Sequence, residues 1–196
     1  MAEKKGAKGR RKTVDKWKKK SWYTIVSSKI FDKKPLCQTP AEKPIHLTGR
    51  TFKVTMDRLT GQRTKRDVAV YFKYDSVQGQ TINTKVSKFE VTKSTLGRLI
   101  RRRNSKVASF IKLQSVGGDA RVSIIVVTAR DATQRQKTSI REITEKETNS
   151  LKGKEFESIV NELLLGKFAG DLAKKASKIC MIKKVVVSKA VFSEAK

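Results

Sequence analysis

Between Arg130 and Arg141 the chain sets Arg130, Arg135, Lys137 and Arg141 against Asp131 alone, with Gln134, Gln136, Thr138 and Ser139 interleaved. Guanidinium, ammonium, amide and hydroxyl donors at this density suit phosphate oxygens and sugar hydroxyls. A second run, Lys93 to Lys106, holds six cations and no acid, four of them the arginines Arg98, Arg101, Arg102 and Arg103. Charged helix faces normally mix signs, so an all-basic run implies an anion from outside, and the guanidinium fork grips phosphate in two places. Further candidates for the same chemistry are Arg50 and the group Arg63, Lys65 and Arg66. In the first twenty residues ten cations, among them Lys8, Arg10, Arg11, Lys12, Lys18, Lys19 and Lys20, face only Glu3 and Asp15. Over the whole chain 46 Lys and Arg stand against 18 Asp and Glu, a formal charge of +28. Self-repulsion of that size implies a polyanionic partner.

The chemistry of most enzymes is missing. His46 is the one histidine, in a proline-rich stretch beside Ile45 with no nucleophile or metal partner near it in sequence. Leu165-Gly166-Lys167-Phe168 lacks both the first glycine and the hydroxyl of a phosphate-binding loop. Gly117-Gly118-Asp119 reads as a turn, and Asp57, Asp67, Asp75 and Asp131 are scattered singly among cations, as in internal charge balance rather than a two-metal site. Cys37 and Cys180 lie far apart without zinc spacing and read as reduced thiols of a cytosolic protein. No run approaches the ~20 apolar residues of a membrane span, and no apolar leader opens the chain. We therefore expect no catalytic residues, no metal and no cofactor.

These donors need a scaffold. Hydrophobic residues are 37% of the chain and charged residues 33%, a balance that predicts one folded domain with flexible ends. We expect a disordered basic arm over 1–20, a single α+β domain over 21–192 and a short tail over 193–196. Trp22 and Tyr23 either anchor the arm to the body, the favoured reading, or stack on unpaired bases. Residues 32–46, with Pro35, Pro40 and Pro44, read as an extended loop. Phe52, Val54 and Met56 alternate as a strand, as do Val68, Val70, Phe72 and Tyr74, with a basic hairpin loop from Thr60 to Arg66 between them. A third strand region ends near Val91. Ser94 is the expected N-cap of a helix from Thr95 to Arg103. Lys106 to Val116 pairs with Val122 to Thr128, which reads as buried on both faces and delivers the donors after Thr128 to one rim. Phe156, Ile159, Val160, Leu163 and Leu164 keep helical spacing up to a cap at Gly166. A second short helix, about Asp171 to Lys178, completes a C-terminal helical hairpin, and a last strand lies near Lys184 to Phe192.

Five segments in order resemble the small-ribosomal-subunit protein family shared by archaea and eukaryotes, the S-one-e family, formerly S-three-A-e. They are Lys19-Lys20-Ser21-Trp22-Tyr23 followed by Phe31; Leu47-Thr48-Gly49-Arg50-Thr51-Phe52-Lys53-Val54 with Leu59; Val77-Gln78-Gly79; Lys137-Thr138-Ser139; and Thr148-Asn149-Ser150-Leu151-Lys152. The resemblance implies a β-barrel-like, mostly antiparallel core with flanking helices. It also implies a place on the small-subunit platform, near the 3′ end of the ribosomal RNA and the messenger exit. The chain stops soon after its last strand, which suits the short archaeal form, and Glu142, Glu145 and Glu147 interrupt a segment that is lysine-rich in eukaryotic members. The expected partners are small-subunit ribosomal RNA, neighbouring ribosomal proteins and nearby messenger RNA, with no membrane and no second copy of the chain. The competing readings are a free RNA chaperone or translation factor, which would not stay with ribosomes in high salt, and an RNA-processing enzyme, which would turn over RNA with a metal.

Overall fold

The structure, a computed structural model, describes residues 15, 17–115 and 118–194; Lys8, Arg10, Arg11, Lys12, Val116 and Gly117 lie outside the described residues. Among the described residues eight strands form a single, mostly antiparallel sheet with five α-helices, an α+β arrangement. Its body is built from two antiparallel pairs joined by the last strand. Strand β4 (Val68–Gln78) pairs antiparallel with β5 (Thr81–Val91), and β6 (Lys106–Ser115) with β7 (Gly118–Thr128). The last strand, β8 (Ile182–Glu194), pairs with β7 along its length and with β5 through Val191, Ala190 and Lys189. On the same edge of β5, nearer its start, β1 (Ser21–Val26) pairs parallel through Thr24, Ile25 and Val26. The edge of β5 is thus shared, and the sheet forks.

Among the described residues pairing ends at β6, at β2 (Pro35–Ala41), which lies against β1, and at β3 (Thr51–Thr55), which lies against β4. The sheet is therefore open where a barrel-like closure was expected. Residues 32–46 are not a simple extended loop: Pro35 and Pro40, which lack an N–H, sit in β2 because an edge strand needs donors on one side only. Met56 leaves the strand pattern to open α1 (Met56–Thr60), and Gly61 (φ 74°) takes the left-handed conformation that ends it. The connection from Thr60 to Arg66 then continues through a 3-10 turn at Arg63–Lys65.

Helix α2 runs from Lys93 to Leu99, with Thr92 rather than Ser94 at its N-cap. The expected extension to Arg103 does not form. Ile100 is extended, Arg101 and Arg102 lie in a turn, and Arg103 is left-handed at φ 65°. The segment after Thr128 is also different: α3 spans Gln134–Asn149, started by a capping box in which the Gln136 N–H donates to Thr133 Oγ1 (3.4 Å) and the Thr133 N–H to Gln136 Oε1 (3.0 Å). Helices α4 (Phe156–Leu165) and α5 (Lys167–Ala176) meet at Gly166 (φ 83°), so the second starts four residues before its expected position. No helix among the described residues is long and apolar enough to cross a membrane.

The main core lies between one face of the sheet and the helices. Val70, Phe72, Phe89, Val107, Leu113, Val122 and Ala190 meet Ile140, Ile159, Leu163, Phe168 and Leu172. A smaller cluster under β1 joins Tyr23, Ile25, Ala41, Leu47 and Ile82. Tyr23 is 8% exposed and Trp22 57%, so of this pair only the tyrosine anchors the chain.

Candidate nucleic-acid interface

The end of the sheet where β6 starts and β7 finishes is held by a small polar latch. The Thr128 N–H donates to the Ser105 carbonyl (3.0 Å) and the Ser105 N–H to Thr128 Oγ1 (2.9 Å). The Thr128 hydroxyl in turn lies 2.6 Å from the Arg130 carbonyl and 3.2 Å from that of Ser105. Ser105 Oγ accepts from the Ala132 N–H at 3.0 Å, and its hydroxyl reaches Asp131 Oδ1 at 3.4 Å. Both residues are buried. Satisfied polar groups of this kind fix geometry because leaving any of them unpaired is costly. The latch ties the Arg101–Arg103 turn to the Arg130 turn. The start of β8 is tied to them as well: the Ala129 N–H donates to the Met181 carbonyl (2.9 Å) and Lys183 Nζ to the Leu99 carbonyl (3.2 Å).

Helix α2 extends this rim toward the β3–β4 connection. The Thr92 N–H donates to the Asp67 carbonyl (2.9 Å), and Arg98 pairs with the Asp67 carboxylate at 3.6 Å while donating to Thr95 Oγ1 at 3.1 Å. Arg98 thus has a paired carboxylate, which the sequence did not reveal, and its charge is partly answered within the fold. Asp67 and Thr95 line one shallow hollow with Thr64, Lys65 and Lys184. The structure therefore brings Arg63, Lys65, Arg66, Arg98, Arg101, Arg102, Arg103 and Arg130 to one end of the sheet. Arg135 and Lys137 stand in the first turns of α3 beside it, with Arg141 a turn beyond. All of these are exposed except Lys65 and Lys137, which are half-buried. Arg50 and Lys18, Lys19 and Lys20 are not part of the rim. Arg50 precedes Thr51, at the opposite end of β3, and the three lysines precede β1, whose Thr24 pairs with Thr81 at the start of β5. There Lys20 Nζ sits over the Trp17 ring, 4.5 Å from its centre.

Two of the scattered acids pair with cations, Asp67 with Arg98 and Asp75 with Lys85 at 3.1 Å, and Glu147 pairs with Lys175 at 2.6 Å. Among the described residues no three His, Cys, Asp or Glu side chains gather to hold a metal. His46 is exposed in the 3-10 turn Pro44–Leu47. Burial pushes the thiols of Cys37 and Cys180 upward, which keeps them protonated and poorly nucleophilic.

Sequence reasoning missed a second set of cations. Lys53, Lys88, Arg121, Lys112 and Lys189 point away from the helices, on the sheet's other face. Lys88 and Lys53 hold their ammonium groups 4.0 and 5.8 Å from the centre of the Tyr71 ring. The Tyr71 hydroxyl donates to Glu90 Oε1. That bond, with Lys88, Lys189 and Lys53 close by, holds the Glu90 carboxyl below its ordinary range, and the same carboxylate pushes the Tyr71 phenol up. Their signal in the sequence is one cation per strand at an outward position, which no local window collects.

The fold and the rim define an α+β protein that presents positive charge at one end of an open sheet. The chain belongs to the ribosomal S3Ae family, whose model matches residues 8–195, and it is of the archaeal type. The family is structural rather than enzymatic. A protein of Methanobrevibacter smithii named small ribosomal subunit protein eS1 is 32% identical over 94% of this chain and 96% of its own length. Proteins of the same name from Methanothermobacter thermautotrophicus and Saccharolobus islandicus are 33% and 35% identical, over 94% and 89% of this chain and 96% and 85% of their own lengths.

Proposed function

We propose that this protein is a structural constituent of the small ribosomal subunit, bound to ribosomal RNA on the platform near the messenger exit. The observation that carries the reading is the rim, where cations from four separate stretches of a ribosomal S3Ae family chain meet at one end of the sheet. Its mechanism is electrostatic: arginine forks neutralise phosphates of adjoining RNA segments while the sheet fixes their separation. In this reading residues 1–20 are a basic arm that meets RNA, and the single domain expected over 21–192 runs on to Glu194, because Ser193 and Glu194 pair with β7. Neighbouring ribosomal proteins and messenger RNA lie close by. The protein acts as one copy, in the cytoplasm and on the ribosome, supporting translation.

The test is sedimentation of a source-cell lysate through sucrose in high salt and low magnesium. Near one-to-one recovery of this chain with the small subunit is expected, and recovery at the top of the gradient would reject the reading. Affinity for naked ribosomal RNA should also fall by about 10³ to 10⁵ between about 50 and 200 mM salt, the behaviour of six to ten phosphate contacts.

A further inference from the structure

The register of the sheet builds a surface that the rim does not include. Val70, Phe89, Ala190, Val122 and Ile111 are neighbours across β4, β5, β8, β7 and β6, and they face the helices. One position along each strand the side chains point the other way. That next row reads Lys53, Tyr71, Lys88, Val191, Arg121, Lys112, from β3 to β6. On the other side of the apolar row, Glu90, Lys189, Ser123 and Phe110 are neighbours in the same sense. With strands about 4.8 Å apart, the longer row extends about 24 Å across the sheet.

Three properties of this face select its ligand. Its charge is one-sided: five cations stand with Glu90, already engaged by Tyr71 and by Lys88 at 3.8 Å, and with Asp119, two residues from Arg121 on β7. Its exposed aromatic is Phe110, 82% exposed on an edge strand and opposite the small Ser123, which leaves the ring uncovered. Its other aromatic, Tyr71, is occupied by lysines. A single exposed phenylalanine is ordinary on a protein surface. One placed beside the end of a basic row, two residues from Lys112 on the same edge strand, has the parts of a single-strand platform, cations for the backbone and a ring for a base. A protein partner apolar enough to cover Phe110 would also have to bury Lys112 and Arg121 beside it, which is costly without matching acids.

We infer that the helix-free face of the sheet binds unpaired RNA, with phosphates along Lys53, Lys88, Lys189, Arg121 and Lys112 and one base stacked on Phe110. This deepens the ribosomal reading by naming a second RNA surface, specific for single strands, beside the phosphate-binding rim.

The experiment uses the full chain with a labelled oligouridine strand and an RNA duplex of equal length, titrated by fluorescence anisotropy at several salt concentrations. Phe110→Ala should weaken binding of the single strand by about 5- to 150-fold. It should leave the duplex unaffected, and Phe110→Tyr should restore the loss. The triple change Lys112→Ala, Arg121→Ala, Lys189→Ala should make the single-strand salt slope shallower by about 2. Ultraviolet cross-linking of the parent complex should place the strand on the peptide containing Phe110 and Lys112. All these side chains but Phe110 are cations of the sheet surface, and none of the four is in the core, so the variants should fold. Unchanged affinity and slope in both variants, with cross-links only elsewhere, would overturn the assignment. So would variants that bind the strand normally yet fail to join small subunits, since the face would then dock a protein. Loss of single-strand binding in a chain that does not sediment with small subunits would keep the surface and remove the ribosomal reading.

Discussion

At the rim, Arg101, Arg102 and Arg103 follow one another in the chain and stand on a turn fixed by the Ser105 and Thr128 bonds. On the open face, Lys53, Lys88, Lys189, Arg121 and Lys112 come from five strands and are neighbours only because the strands pair in one register. The two regions reach a similar charge by different routes. A turn concentrates cations that were already adjacent, and its geometry depends on a few local hydrogen bonds. A sheet assembles cations that were remote, and a slip of one residue would turn any of them toward the core. Dense local charge therefore marks a site that tolerates sequence change around it, whereas dispersed charge marks a site as sensitive as the fold itself.

The largest expected effect breaks the rim alone. Changing Arg101, Arg102 and Arg103 together to alanine should flatten the salt dependence of binding to naked ribosomal RNA by about 2 to 3 units of slope. The melting temperature should barely move, since all three are exposed. An unchanged slope would remove the turn from the interface. Next in size, Thr128→Val leaves the Ser105 N–H without its hydroxyl acceptor and the Arg130 carbonyl without its donor. About 1 to 3 kcal/mol of stability should be lost in urea denaturation, with rim-dependent binding weakened and Phe110-dependent binding kept. Joint loss of both would show that the regions are one unit.

A finer measure of independence combines the arginine triple with the Lys112, Arg121 and Lys189 triple. Separate regions should give binding losses that add to within about 0.5 kcal/mol, and a larger coupling would merge them. The smallest effect concerns Glu90. Its folded carboxyl is held below the ordinary range, first by the Tyr71 hydroxyl and then by Lys88, Lys189 and Lys53. The stability this gives is present above the unfolded carboxylate pKa and is lost as the pH falls through the lower folded value. Glu90→Gln should thus cost most near neutral pH, under about 1 kcal/mol for a group one-third exposed. The difference should vanish in acid. The same change should bring the Tyr71 phenol titration back toward its ordinary range, as seen by absorbance, and tighten single-strand binding by removing the row's internal anion.

Which parts of this molecule the sequence discloses follows from how each is encoded. β4 and α4 were legible because Val70, Phe72, Ile159 and Leu163 repeat at the period of their element and face the core, and β7 because Val122 to Thr128 is a β-branched, largely apolar run without alternation. Helix α3 was hard to see, because its buried face is Ile140, Thr144 and Thr148 rather than an aliphatic stripe. The two threonines are buried at no polar cost, their hydroxyls donating to the carbonyls of Ile140 (2.7 Å) and Thr144 (2.6 Å) four residues back. β2 was hidden by Pro35 and Pro40, which signal loops unless the strand is known to lie at an edge. The rim cations were visible as charge runs, but not that Arg98 would meet Asp67 or that the run would leave its helix after Leu99. The sheet-face cations were invisible, since nothing within a window of sequence pairs Lys88 with Val191 or Val191 with Arg121.

The shared edge of β5 also sets an order of assembly. β5 can take β4 beside it through a tight turn, and β6 pairs with β7, its neighbour in the chain, but the two pairs have no direct ladder between them. Their link is β8, which bonds to β7 along its length and to β5 over three residues. Contacts between such distant stretches are slow to form, because the loop entropy is spent before they repay it. The edges of β5 and β7 that face β8 cannot be covered before residues 182–194 have been synthesised. The charges of the Arg101–Arg103 turn are in place well before that moment, so a nascent chain can meet polyanions while its sheet is still two pieces.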